Sequence, residues 1–210
     1  MCSKGIILIQ NQEFVIIERH KMKLEDIINI IPGTPQFRIK ESLQISAPNY
    51  YFYGQQELEN DLTGVILNKE NSKTISTMDN LNLVCEGDIL FSLISGKTTI
   101  VRKRHNGYLY TQNYVKLIPE DKLDSKYLVY LLNESDFIRK QWLKGLQGSA
   151  VLKHTVKQLR ELELPNMHTY DKQKIIGDIY FNQQQLSALR MRVANTEQIL
   201  LIEKLKGVIK

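Results

Sequence analysis

Cysteine is nearly absent: Cys2 and Cys85 are the only two in 210 residues. They form no close-spaced metal pair and make a poor disulfide framework, so the expected compartment is a reducing cytoplasm. No apolar run is long enough to cross a membrane. The patch Ile6-Ile7-Leu8-Ile9 ends at Gln10, Asn11 and Gln12, too short for a signal peptide, and no small-residue cleavage site follows it. Proline is scarce, and none follows Pro165, which leaves the rest of the chain free to form one uninterrupted helix.

The sequence also lacks catalytic constellations. The stretch from Asp88 to Thr99 imitates a strand feeding a phosphate loop, but Phe91 stands where that loop needs its first glycine. Glu120, Asp121 and Lys122 resemble half of a nuclease site, yet they lie in a polar loop with no firm partner acid. His20, His105, His154 and His168 are scattered, with no i, i+4 pair for a metal. No glycine-rich loop after a first strand suggests an S-adenosylmethionine site, and no Asn/Asp-Pro-Pro-aromatic motif for base methylation occurs. The expectation is a protein without cofactor or catalysis of its own.

What is present is an ordinary globular balance, 42% hydrophobic and 24% charged, long enough for one or two domains. The net charge of +5 is unevenly spread. Residues 1–96 hold 8 Lys and Arg against 12 Asp and Glu, residues 97–168 hold 13 against 7, and residues 169–210 hold 7 against 4. The basic excess in the second half is suited to a polyanion, because basic surface releases the counterions of nucleic acid on binding. A merely solvated basic face is the competing explanation.

Local patterns predict the elements. Residues 22–31 read as a short amphipathic helix, stopped by the rigid loop Pro32-Gly33-Thr34-Pro35. Residues 36–80 read as short strands and long loops. A strand pair is expected around the turn Glu86-Gly87-Asp88. Residues 98–104 and 108–118 then read as a second hairpin around His105-Asn106-Gly107, since Asn-Gly is a strong hairpin signal. A helix capped by Asp124 is expected over 126–143, a short one near 155–161 and a strand at 162–164. From Thr169 a helix of some 35 residues, roughly 50 Å at ~1.5 Å per residue, runs to about residue 206. Its seam Ile179, Asn182, Leu186, Leu189, Val193, Thr196, Leu200 steps alternately by 3 and 4, which is coiled-coil spacing. Packing along its own domain is the competing role, but the helix is too long for a small domain to cover.

The candidate recognition surface is basic and polar. Lys97, Arg102, Lys103, Arg104 and His105 fall in a run with no acid, and on a ribbon Arg102 and Arg104 would share one face. Gln112 and Asn113 would lie on the return strand, and two-stranded ribbons fit the major groove, where Arg reads guanine and Asn or Gln reads adenine. Gln147, Ser149 and Lys153, with Gly145 and Gly148, form a second loop suited to phosphate. Thr34 in the proline loop and Thr98 beside Lys97 complete the set.

The order of the short signatures resembles the DNA specificity (S) subunit of type I restriction-modification systems, in a half-length form with one target-recognition domain. The residues are Lys23-Leu24-Glu25-Asp26-Ile27 with Gly33-Thr34-Pro35, then Glu86-Gly87-Asp88-Ile89-Leu90, then Thr111 to Tyr114 with Lys116-Leu117-Ile118-Pro119. Gly148-Ser149 and Leu164-Pro165 precede the long helix as in that family, while only Gln173 remains of the usual Pro and Glu-Gln signature there. The resemblance implies an α+β fold: a mixed α/β target-recognition domain over 21–168, after an extension at 1–20, followed by a long C-terminal coiled-coil-type helix over 169–210. It implies double-stranded DNA as ligand and type I modification (methyltransferase) subunits as partners. The single domain and the 3-4 seam add the expectation of a homodimer formed through the helix, and the lack of a long apolar run that of no membrane role. A truncated or silent-cassette form of a longer subunit stays open, as does a coiled-coil scaffold protein whose basic face is incidental.

Overall fold

The computed structural model describes residues 7–10, 13–16, 22–66, 72–146 and 154–208. In chain order the elements are β1 (Ile7–Gln10), β2 (Glu13–Ile16), β3 (Ile28–Pro32), β4 (Asn49–Tyr51), α1 (Gln55–Thr63), β5 (Thr74–Ser76), β6 (Ile89–Ser92), β7 (Thr98–Ile100), β8 (Tyr114–Pro119), α2 (Ser125–Glu134), α3 (Asp136–Leu146), α4 (Val156–Arg160) and α5 (Tyr170–Val208). The main sheet has four antiparallel strands in the order β3-β8-β6-β7. β1 with β2, and β4 with β5, form separate two-stranded ribbons.

Every residue of β6 is buried, because both faces of the sheet are covered. Side chains alternate along a strand, so the two faces draw on alternate positions. Ile28, Ile30, Ile89, Phe91, Val115 and Leu117 pack with Tyr127, Leu128, Ile138, Leu159 and Tyr180 of the helices. Leu90 and Tyr114 turn the other way, onto a second core with Tyr53, Leu58, Val84, Val101 and Tyr110. A short apolar run between turns is the sequence mark of such a doubly covered strand.

Four local expectations are corrected. The strand pair expected around Glu86-Gly87-Asp88 does not form: Leu83 bridges Leu109, and β6 pairs with β7 and β8 instead. Residues 22–31 are not a helix: a single 3-10 turn, Leu24–Asp26, leads straight into β3, whose alternating Ile28 and Ile30 are core residues. The expected hairpin over 98–118 does not form. β7 pairs with β6 across the turn at 93–95, β8 pairs with the opposite edge of β6, and Lys103–His105 is a 3-10 turn. The helix expected over 126–143 is two helices, since Ser135 leaves the helical backbone (ψ 117°) while its carbonyl accepts the Arg139 N–H of the next one. Within 36–80, α1 was not expected; it ends on Gly64 in the left-handed conformation, as a glycine cap allows.

Other expectations hold locally. The Asp124 carboxylate caps α2 by accepting the Tyr127 N–H at 2.9 Å, and Thr155 caps α4 through Gln158 N–H at 3.1 Å. α5 runs 39 residues, about 58 Å at ~1.5 Å per residue. Its start is tied down by Gln173, which is buried, accepts the Asp124 N–H (2.9 Å) and donates to the His168 and Lys122 carbonyls. Gly177 lets α2 approach closely, because a Cβ there would stand 2.6 Å from Lys126 Cβ. Tyr180, Phe181 and Ala188 complete the buried stripe, and from Arg190 onward every described residue of α5 is exposed.

Candidate nucleic-acid interface

The strand order divides the expected recognition residues between the two ends of the main sheet, which are separated by β6, roughly 10 Å at ~3.3 Å per residue. Thr34, Lys97, Gln112 and Asn113 lie at the end where β3 and β6 finish and β7 and β8 begin. Arg102, Lys103, Arg104 and His105 lie beyond β7 at the other end, beside the turn at Gly87. The two groups do not share a ribbon face, because the segment between them crosses the second face of the sheet, bridging Leu83 and Phe52 at Leu109.

The first end is built on backbone. Thr34 bridges Thr111, and the Gln112 N–H bonds the Thr34 carbonyl at 3.1 Å. Gly33 admits this approach, since a Cβ there would lie 2.2 Å from the Thr111 carbonyl oxygen. The Thr34 hydroxyl accepts the Asn82 N–H (3.1 Å), and the Gln112 side-chain oxygen accepts the Gln36 N–H (2.6 Å). Lys97 is exposed at the mouth of the β6–β7 turn, where Ser92 N–H bonds its carbonyl. Asn113 is half-buried, its carbonyl taken by Leu93 N–H. Thr98 and Thr99 are fully buried, and the Thr98 backbone is gripped on both sides by the Asn133 amide (2.8 and 2.9 Å). The Thr98 side chain therefore presents no surface to a ligand.

The second end is a basic turn on a buried polar anchor. His105 is not a solvated turn residue: it is fully buried, with Nδ1 2.8 Å from Asp61 Oδ1. The other Asp61 oxygen accepts the Tyr53 hydroxyl at 2.8 Å. Burial first, and then the Asp61 charge, push the Tyr53 phenol well above its ordinary range, so it stays a donor. Arg102 Nε donates to the Asp61 carbonyl at 2.7 Å, and its guanidinium fills the space that a Gly64 side chain would need. Lys103 and Arg104 are thereby held outward on a fixed turn. Arg102 also lines a cavity of about 220 Å³ with Ile100, Lys126, Phe181, Asn182 and Gln185, which places the polar seam residue Asn182 beside the basic turn.

Gln147, Ser149 and Lys153 fall outside the described residues. His154, next to that segment, packs on Trp142 and Phe91 with ring centroids 4.4 and 5.9 Å away, and burial lowers its pKa. Along α5 the seam is open: Ile179, Asn182, Leu186, Val193, Thr196 and Leu200 are exposed and Leu189 is half-buried. Sequence reasoning missed Asp61, Tyr53, Asn133 and Asn82; only a helix prediction over α1 would have pointed to Asp61. Among the described residues no group of three or more His, Cys, Asp or Glu could hold a metal, and no helix is long and apolar enough to cross a membrane.

The fold is a mixed strand-and-helix domain with a long C-terminal helix, the architecture of type I specificity subunits. The chain belongs to the type I restriction modification DNA specificity domain family, whose pattern matches residues 17–194. Among solved structures, a chain from work on complex assembly and conformational transition of the type I R-M system is 18% identical over 89% of this chain, with a TM-score of 0.52. The HsdS subunit from Thermoanaerobacter tengcongensis is 19% identical over 90% of the chain (TM-score 0.49), and the S subunit from M. genitalium is 17% identical over 87% (TM-score 0.44). The chain spans only 42–43% of the length of these three. No curated protein sequence matches it.

Proposed function

We propose that this chain reads one half of a bipartite DNA site and directs the methyltransferase and restriction subunits of a type I complex to it, in the cytoplasm. Residues 21–168 form the recognition domain and residues 169–210 the pairing and docking helix, with 1–20 as an extension. The observation that carries this is the pairing of one specificity domain with a 39-residue helix whose 3-4 seam faces solvent. Six exposed seam positions, with Leu189 half-buried between them, on a helix that outruns its own domain support a second copy as the missing cover. Two copies related by a twofold axis would present two recognition domains, and their joint site would be an inverted repeat with a gap.

Within the domain, Lys103 and Arg104 are the phosphate contacts and Gln112, Asn113, Thr34 and Lys97 face the bases; Gln147, Ser149 and Lys153 remain candidates for the backbone. Fixed turns on a rigid sheet suit both roles, because phosphate contacts set register and base contacts carry sequence. The test combines light scattering of the chain, alone and with a type I modification subunit, with selection from random duplexes by whatever complex forms. A dimer selecting a gapped inverted repeat is the expected result. A monomer in both conditions removes the twofold arrangement, and no enriched sequence removes the DNA reading.

A further inference from the structure

The end of the sheet that carries Thr34 and Gln112 also carries a side chain with no role in the fold. Pro35 leads into a 3-10 turn, Gln36–Arg38, whose central residue Phe37 is 82% exposed. The turn itself is rigid. The N–H groups of Gly33, Thr34, Gln36, Arg38 and Ile39 are all bonded: to Tyr114 O, Tyr110 O, the Gln112 side chain, Pro35 O and Gln36 O, at 2.6–3.2 Å. Gly33 fits only without a Cβ. Two prolines, a glycine and a side-chain clamp thus hold an aromatic ring out in water. A flexible loop would instead let the ring fold back onto apolar surface.

The surroundings of the ring indicate the partner. The Arg38 guanidinium stands 5.7 Å from the centroid of the Phe37 ring. Gln36, Gln112 and Asn82 ring the base of the turn, and Lys97 and Asn113 sit at the same end of the sheet. An apolar ring flanked by cations and amides matches a base step lined by phosphates: the ring stacks or wedges, the amides meet base edges and the cations meet the backbone. We infer that Phe37 is a wedge that stacks on or between bases of the bound duplex and that its turn is a specificity-determining element of the recognition domain.

This rests on the half-site reading above, and the experiment separates the two. The selected duplex is made with 2-aminopurine replacing adenines one step at a time within the half-site. Wild-type complex, Phe37→Ala, Phe37→Trp and Gln112→Ala are compared for affinity, emission and thermal unfolding. Wild type raises emission at one step, where stacking is broken. Phe37→Ala loses that rise and about ten-fold or more in affinity, as expected for a lost base–aromatic stack. Phe37→Trp keeps the emission rise, and thermal unfolding of Phe37→Ala is unchanged because the ring is exposed. Gln112→Ala removes the clamp together with the proposed base contact, so it weakens both the emission rise and the affinity. Equal affinity and equal emission for wild type and Phe37→Ala overturn the wedge while leaving half-site reading intact. Loss of modification-subunit binding by Phe37→Ala, with DNA emission unchanged, also overturns it, in favour of a protein contact. A wild-type complex that enriches no sequence overturns both.

Discussion

Asp61 shows how one buried carboxylate organises a surface. It accepts from the Tyr53 hydroxyl, meets His105 Nδ1 and, through its carbonyl, fixes Arg102. Removing it strands two buried polar groups, and a buried group left unsatisfied costs about 1–3 kcal/mol. Asp61→Ala is therefore expected to lose roughly 2–4 kcal/mol in urea unfolding. A change below about 0.5 kcal/mol would contradict the anchor role. His154 gives a pH signature. Burial holds its pKa below 6.5 in the folded protein, so between the two values the unfolded chain binds the extra proton. Stability is accordingly flat above about pH 6.5 and falls as pH drops through it, until the folded pKa is reached. Urea midpoints at pH 7.5 and 5.5 should diverge less in His154→Gln than in wild type, and equal divergence would rule His154 out as the source. Sequence placed His105 on the recognition ribbon, since His-Asn-Gly is turn chemistry. Its burial depends on Asp61, 44 residues earlier, and no local pattern carries that.

Among the elements, α5 was the most legible and the strands flanking β6 the least. Helical periodicity and the lack of proline are local properties, so they marked α5 from its capping residue to near its end. Asn-Gly, equally local, suggested a hairpin at 105–107 that tertiary pairing overrode: β6 has two edges, and β7 and β8 take one each. The break at Ser135 was also hidden, because Leu131, Leu132 and Ile138 keep an apolar period across it. On α5 the exposed seam gives a clean test. Leu186→Asp combined with Val193→Asp should reduce the scattering mass to that of one chain. Unfolding of the recognition domain should stay within about 0.5 kcal/mol, as for exposed positions away from core contacts. A dimer that survives both substitutions would place the contact elsewhere.

For the whole molecule, the division of candidate residues between the two sheet ends predicts two classes of defect. Lys103→Ala and Arg104→Ala should weaken binding to all duplexes about equally and make the salt dependence shallower, by about one unit of slope per lost phosphate contact. Asn113→Ala should instead relax the selected sequence at one position, with a loss of about 1–3 kcal/mol for the preferred base and little change in slope. Titrations of both variants against specific and random duplex at several salt concentrations distinguish these outcomes. A uniform loss from Asn113→Ala would move it to the backbone class. The sequence by itself determined the family, through ordered signatures and a long capped helix that are both read along the chain. Only the tertiary structure decided which residues share an end of the sheet, that Thr98 and His105 are interior, and that Phe37 is held outward. Those properties come from pairing and burial between residues distant in sequence, whereas periodicity and composition register only near neighbours.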